Sequence, residues 1–198
     1  MMDLRPATPQ DHAALAEICL RTGHHGRDAR LAYADPWLLA EIYLLPYAVL
    51  EPAWCWVLED GEGLVGYIVG TPDTREFARR TEAQWWPPLR LAHPLPAADD
   101  TSLQAGLRRS LHAGVATDLP FLDTHPAHLH IDLLPRAQGR GWGSRLIAVF
   151  VQALQAHGVP GVHLGVSALN PGAIAFYRRQ QFEVLQEAAW GLRMGRRW

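Results

Sequence analysis

The residues best placed to do chemistry lie in one continuous stretch, AHLHIDLLPRAQGRGWGSR, which ends at Arg145. Gly139, Gly141 and Gly143 fall at alternate positions, after an apolar extended run that Pro135 ends. An amphipathic helix pattern begins among the glycines and runs to about His157, with Leu146, Val149, Phe150, Ala153 and Leu154 on one side. A strand, a tight glycine turn and a helix start can aim several backbone N–H groups at one point. The positive end of the helix adds to them there, which makes a site for an anion, phosphate first among them. In the strand before the turn, His128, His130 and Asp132 alternate and therefore share one face. Asp132 is nearest the turn, and His130 has the ordinary pKa of a base near neutral pH. Two readings stay open for this set: a general base, or a paired His–Asp group that stiffens the strand. A shared metal ion is disfavoured, because side chains at i, i+2 and i+4 spread over ~13 Å, too far for one ion.

The turn fits neither common nucleotide loop. A dinucleotide fingerprint needs GxGxxG, and the spacing here is GxGxG. A Walker loop needs a lysine, and all 18 basic residues are arginine.

The elements that must position this stretch alternate between strands and helices. Asp3–Ala7 reads as a strand, and Thr8-Pro9-Gln10-Asp11 as a helix start. Gly23 closes that helix, and 24–30 reads as a loop. Asp35-Pro36 starts a second helix that Pro46 stops or kinks. Cys55–Glu59 and Leu64–Gly70 form a hairpin. Thr74–Trp86 reads as a helix closed by Pro87-Pro88, 90–100 as irregular, and Ser102–His112 as a helix. Ala127–Leu134 is a strong strand, Val162–Ser167 the next, and Pro171 opens a helix carrying Ile174, Phe176 and Tyr177. Phe182–Ala188 and Leu192–Trp198 are the last strands. The pattern predicts an α/β (α+β) fold with a mixed sheet covered by helices, in one domain over 1–198.

A net charge of −2 and the lack of a basic cluster with interleaved aromatics argue against a nucleic-acid partner. No apolar run approaches a membrane span, and the first residues carry no apolar signal core. Cys19 and Cys55 sit in apolar contexts and read as buried thiols in a reducing, cytoplasmic compartment. The residues leave open whether the chain is a monomer or a homodimer.

Gln138-Gly139-Arg140-Gly141-Trp142-Gly143 resembles the Q/R-x-x-G-x-G/A loop of the GCN5-related N-acetyltransferase (GNAT) family. In the same order, Asn170, Ala173, Phe176 and Tyr177 resemble that family's N-x-x-A-x-x-F-Y run. LRPATPQDHAAL resembles its first strand and helix, so the likeness spans essentially the whole chain. Runs such as YADPWLLAEIYLLPYAVLEP, YIVGTPDTREF and HLHIDLLPRAQGRG are further similar to the acetyltransferase-like domain of O-GlcNAc hydrolases and its free-standing bacterial relatives. The glycine loop, degraded in the animal domains, is intact here. One departure is Gln181, where the family commonly has glycine.

The resemblance implies a mixed, mostly antiparallel sheet splayed between its fourth and fifth strands, with acetyl-CoA as cofactor and an unidentified amine as acceptor. The cofactor would lie on Gln138, Gly139, Arg140, Gly141, Trp142, Gly143 and Ser144, with Asn170 and Tyr177 beside it. Its pantetheine would pair with backbone at Leu133 and Leu134, where an N–H would also meet the oxyanion. Tyr177 would protonate the departing sulfur, and Asp132 or His130 would take the amine proton. Arg136, Arg140 and Arg145 are candidate counter-charges for the cofactor. His24, His25, Tyr33, Asp35, Glu41, Trp85 and Trp86 are candidates for the acceptor pocket. The alternative function is a catalytically silent acyl-CoA-binding module that senses cofactor or mediates contacts.

Overall fold

The computed structural model describes residues 2–198. The chain opens with β1 (Asp3–Pro6) and α1 (His12–Thr22). Asp11 sets the turn between them. Its carboxylate accepts the Thr8 N–H at 2.8 Å and a two-pronged contact from Arg5 at 2.8 and 2.9 Å. Arg5 also reaches Glu59 at 2.9 Å. The Arg5 guanidinium holds the Asp11 carboxyl well below the usual carboxylate range.

α2 (Trp37–Tyr43) and α3 (Leu45–Leu50) follow, separated at Leu44 by a break with φ −134°. Pro46 sits in the first turn of α3, where its missing N–H has no helical partner to lose. β2 (Cys55–Asp60) and β3 (Gly63–Thr71) form the expected hairpin. α4 (Thr74–Gln84) starts at Asp73, whose side chain caps the N–H groups of Arg75 and Glu76. Pro87-Pro88 does not close this helix. Both prolines occupy the first turn of a new helix, α5 (Trp86–Ala92), which occupies the start of the stretch expected to be irregular. α6 (Leu103–Ala113) is capped by Ser102. β4 (Ala127–Leu133), α7 (Trp142–Ala156), β5 (Gly161–Ser167), α8 (Pro171–Arg179), β6 (Glu183–Ala188) and β7 (Gly191–Arg197) complete the chain.

The strands form one seven-stranded sheet in the order β1-β2-β3-β4-β5-β7-β6. Every neighbouring pair is antiparallel except β4–β5. That parallel pair has only two registered positions, Ala127↔Val162 and His128↔His163. Beyond them the strands part, so the sheet is a mixed, mostly antiparallel one that opens at its centre.

Helices cover both faces. α1 to α6 pack their apolar sides around Leu15, Leu38, Tyr67, Phe77 and Leu111 on one face. α7 and α8 bury Phe150, Leu146, Tyr177 and Phe182 against the other. Phe150 approaches β3 over Gly70, where an added Cβ would lie 2.5 Å from its ring. Among the described residues, no helix is long and apolar enough to cross a membrane.

Candidate active site

A cleft of about 580 Å3 lies beyond the point where β4 and β5 part, between the end of β4 and α8. Its floor is the glycine turn. Gly139 and Gly141 have φ of 70° and 79°, in the left-handed region where a side chain is strained. Gly143 serves differently: an added Cβ there would meet the Phe176 ring at 3.0 Å and Leu133 at 3.4 Å. The first two glycines shape the turn, and the third lets α7 approach α8. The first α7 hydrogen bond runs from Arg145 N–H to the Gly141 carbonyl at 3.2 Å. Gly141, the residue before the helix, has no side chain to cap it. The N–H groups of Trp142, Gly143 and Ser144 thus have no intrahelical partner and carry the helix's positive end.

The end of β4 supplies the upper wall. The Leu134 N–H donates to the Val65 carbonyl at 2.8 Å, and its own carbonyl accepts from Ala137 at 2.9 Å. Leu134 therefore has no free backbone N–H for a ligand. Successive backbone groups of a strand point to opposite edges. Leu133 thus turns its N–H toward the opening, and its carbonyl accepts the Gln138 Nε2–H at 2.7 Å. Gln138 uses its amide to brace the strand end.

Asp132 and Tyr177 line the same cleft. Tyr67 donates its hydroxyl to Asp132 Oδ2 at 2.5 Å. Burial raises the Asp132 carboxyl to about 6, against the lowering effect of that hydrogen bond. Burial first, and the Asp132 charge second, push the Tyr177 phenol far up, so it holds its proton at neutral pH. Asn170 caps α8 by accepting the Ala173 N–H at 3.1 Å, and its Nδ2 lies 3.1 Å from the Cβ position of Gly26.

Several expected contributors lie elsewhere. Trp142 points its indole away from the cleft, into a cluster with Leu58, Val65 and Ala137. Only its backbone can serve an anion. Arg145 stacks over that indole at 4.4 Å, and Arg136 pairs with Asp60 at 2.9 Å. The side chain of Arg140 is not among those lining the cleft. The arginine that does line it is Arg179, on α8. Its spacing from Phe176 and Gly172, one and two helical turns back, was readable as a single stripe. Thr22, His25 and Gly26 also line the cleft, from the end of α1. No sequence signal brought that end there, because the approach is made by tertiary packing.

His130 faces a second cavity of about 400 Å3 on the α1–α6 side of the same opening. Its partners fix a proton order. The Pro126 carbonyl can only accept, so Thr74 donates to it at 2.6 Å. The Thr74 oxygen then accepts His128 Nδ1–H at 2.8 Å. His128 Nε2 accepts the Tyr47 hydroxyl at 2.7 Å, and Tyr47 accepts His130 Nε2–H at 3.3 Å. His130 Nδ1 is left with its lone pair. Burial lowers all three histidines of this region, His130 and His163 to about 4 and His128 well below its ordinary value. The face shared by His128, His130 and Asp132 is thus divided: the histidines bind Tyr47 and Asp132 binds Tyr67.

Of the residues expected around an acceptor, only Trp86 lines this second cavity. His25 belongs to the cleft, with His24 and Tyr33 packed behind it. The Asp35 N–H is held by Gln104 at 2.9 Å. Trp85 Nε1 donates to the Glu41 carbonyl at 2.8 Å. The residues actually present include Tyr43 of α2, Tyr47 of α3, His163 of β5, Arg193 of β7 and Trp190 of the β6–β7 turn.

A sheet opened at one seam, over an unpaired helix start and beside a buried tyrosine, is the architecture of an acyltransferase fold. Residues 27–182 match the profile of the Acetyltransferase (GNAT) family. The crystal structure of SsHAT is 38% identical, with a TM-score of 0.90 over 99% of this chain and 98% of that one. The PaiA N-acetyltransferase of Thermoplasma acidophilum, solved in complex with coenzyme A, shares the fold at 14% identity and a TM-score of 0.58, over 100% of this chain and 99% of that one. Protein O-GlcNAcase of Rattus norvegicus is 25% identical over 179 residues, 89% of this chain, which spans 19% of the length of that relative. The chain belongs to the GNAT acetyltransferase family.

Proposed function

We propose that the chain is an acetyl-CoA-dependent N-acetyltransferase that acts on a primary amine. One observation carries this reading: the glycine turn, the free Leu133 N–H and the buried Tyr177 meet in a single cleft at the opened seam. The cleft fits such a cofactor, because unpaired N–H groups and left-handed glycines at one end suit a pyrophosphate. When bound, acetyl-CoA supplies an activated acetyl thioester.

The chain's own groups divide the remaining work. The N–H groups of Gly139 to Ser144 hold the pyrophosphate, with Arg179 beside them. The Leu133 N–H meets the charge that develops on the carbonyl oxygen. The amine enters from the second cavity and forms the new N–C bond as the C–S bond breaks. Its nitrogen becomes far more acidic once it bonds to carbon, so His130 Nδ1 suffices to take its proton despite a lowered basicity. Tyr177 gives its proton to the departing sulfur. Asp132, ionised above about pH 6, disfavours the phenolate and returns Tyr177 to its protonated form.

Thiol release from acetyl-CoA in the presence of a panel of primary amines tests the reading. Tyr177→Phe should lower turnover by about 10²-fold with coenzyme A affinity nearly unchanged. Equal turnover in both proteins would remove Tyr177 from the chemistry. Tight coenzyme A binding without thiol release for any amine would favour the silent module.

A further inference from the structure

Arg5, Arg80 and Arg90 are partly buried and each lie within 2.6–2.9 Å of a carboxylate. Arg21, Arg108, Arg109 and Arg196 are partly buried without such a partner, but none of them lines the second cavity. Arg193 lines the second cavity, and among the described residues no carboxylate comes within ion-pair distance of it. The charge of Asp118 acts on it only from beyond that distance. Removing an arginine from water without a partner is costly, and such a site is relieved by a ligand that brings the opposite charge.

The surroundings point the same way. Among the described residues no Asp or Glu lines the cavity. Its titratable groups are His128, His130 and His163, which burial keeps neutral, with the phenols of Tyr43 and Tyr47. The buried indole N–H of Trp86, which also lines the cavity, has no partner in the protein. Arg193 is registered opposite Gly165 on β5, so both face the same side of the sheet. Trp190 packs over Gly165, its ring edge 3.0 Å from where a Cβ would stand. The Arg193 guanidinium lies 5.6 Å from the centre of that ring, and Trp190 is 49% exposed. The cavity therefore offers a flat apolar shelf beside one cation without a carboxylate partner.

We infer that the acyl acceptor is an amine that also carries an anionic group, bound by Arg193, with a flat apolar body lying on Trp190. This rests on the acetyltransferase reading and narrows its substrate. A dicationic amine finds no carboxylate here and meets Arg193 instead. The same positive field favours delivery of the reacting amine in its neutral form.

A matched pair tests the inference: 4-(aminomethyl)benzoate and benzylamine, each with acetyl-CoA, in wild type, Arg193→Gln and Arg193→Lys. The wild type should prefer the carboxylate compound in kcat/KM by about 30-fold or more. Arg193→Gln should erase that preference, chiefly through KM, and Arg193→Lys should recover part of it. Acetylation of benzylamine as efficiently as of its partner, or a preference that survives in Arg193→Gln, overturns the proposal. Calorimetric binding of benzoate to the coenzyme A complex separates the two readings. Arg193-dependent benzoate binding without any acetyl transfer supports the anion site and sinks the transferase. Acetyl transfer without Arg193-dependent benzoate binding does the reverse.

Discussion

Gln181 adopts a backbone that only glycine takes freely, with φ 65° in the turn between α8 and β6. Phe182 N–H returns to the Tyr177 carbonyl at 3.0 Å, which locks that turn and seats the Phe182 ring against Tyr177. A non-glycine residue there costs roughly 1 kcal/mol. Gln181→Gly should therefore raise stability by up to about 1 kcal/mol in a denaturant titration, and an unchanged midpoint would contradict the strained turn. The departure from the family pattern was readable in the sequence, but its consequence needed the dihedral. The histidines of the second cavity make a further residue-scale prediction. His130 and His163 have folded pKa values of about 4, below the ordinary 6.5, and His128 is lowered too. The unfolded chain binds protons there first, so stability falls as pH drops through that window. Asp132, raised from 3.8 to about 6, acts oppositely, since its ionisation costs stability as pH rises. Three histidines outweigh one carboxylate, so the melting temperature should fall between pH 7 and pH 5. A slope that His130→Gln leaves unchanged would show that the histidine does not contribute.

At the scale of elements, α7 and α8 form one unit with two exacting points. Gly143 is the close approach between them, and Asn170 is the cap of α8. Gly143→Val drives a side chain into Phe176 and Leu133 and shifts the helix whose N–H groups face the cleft. Coenzyme A affinity should fall by at least about 10-fold, consistent with the 1–3 kcal/mol typical of overpacking. Isothermal titration measures it, and wild-type affinity would show that the helix start is not the pyrophosphate site. Asn170→Ala should cost about 1 kcal/mol of stability through loss of the cap. Both points were legible before the fold, as a spaced glycine and an Asn-Pro helix start. The local chemistry of a strand–turn–helix is written in adjacent residues. The splitting of the Thr74 helix at Trp85 was not. Pro87 and Pro88 can close one helix or open another, and packing against α6, where Arg90 Nε donates to the Leu111 carbonyl, decides between them. The acceptor cavity was still less legible, because Tyr43, Tyr47, His163, Trp190 and Arg193 converge from elements that are remote in sequence.

At the scale of the whole molecule, the opened seam leaves two packed halves joined along β4 and β5 by two registered positions. The apolar layer under α7 and α8 runs across both halves, from Ile68 and Leu129 to Val162 and Met194, whereas the layer under α1 to α6 covers only the β1–β4 half. A ligand that pairs with the free edge at Leu133 and rests on the α7 start replaces part of the missing ladder. It binds only the folded chain, so its binding free energy adds to stability. At a concentration about 100-fold above Kd the gain is about 2.7 kcal/mol. For a domain of this size each kcal/mol moves the melting temperature by about 2–4 °C. Saturating acetyl-CoA should therefore raise it by about 5–10 °C. Gly141→Val, which strains a left-handed turn at φ 79°, lowers the starting stability by itself, so the quantity to compare is each protein's shift from its own baseline. That shift should be small in the variant and full in Tyr177→Phe, because the first change removes the anion site and the second removes only a proton. Equal shifts in wild type and Gly141→Val would mean that the cofactor is held somewhere other than the glycine turn.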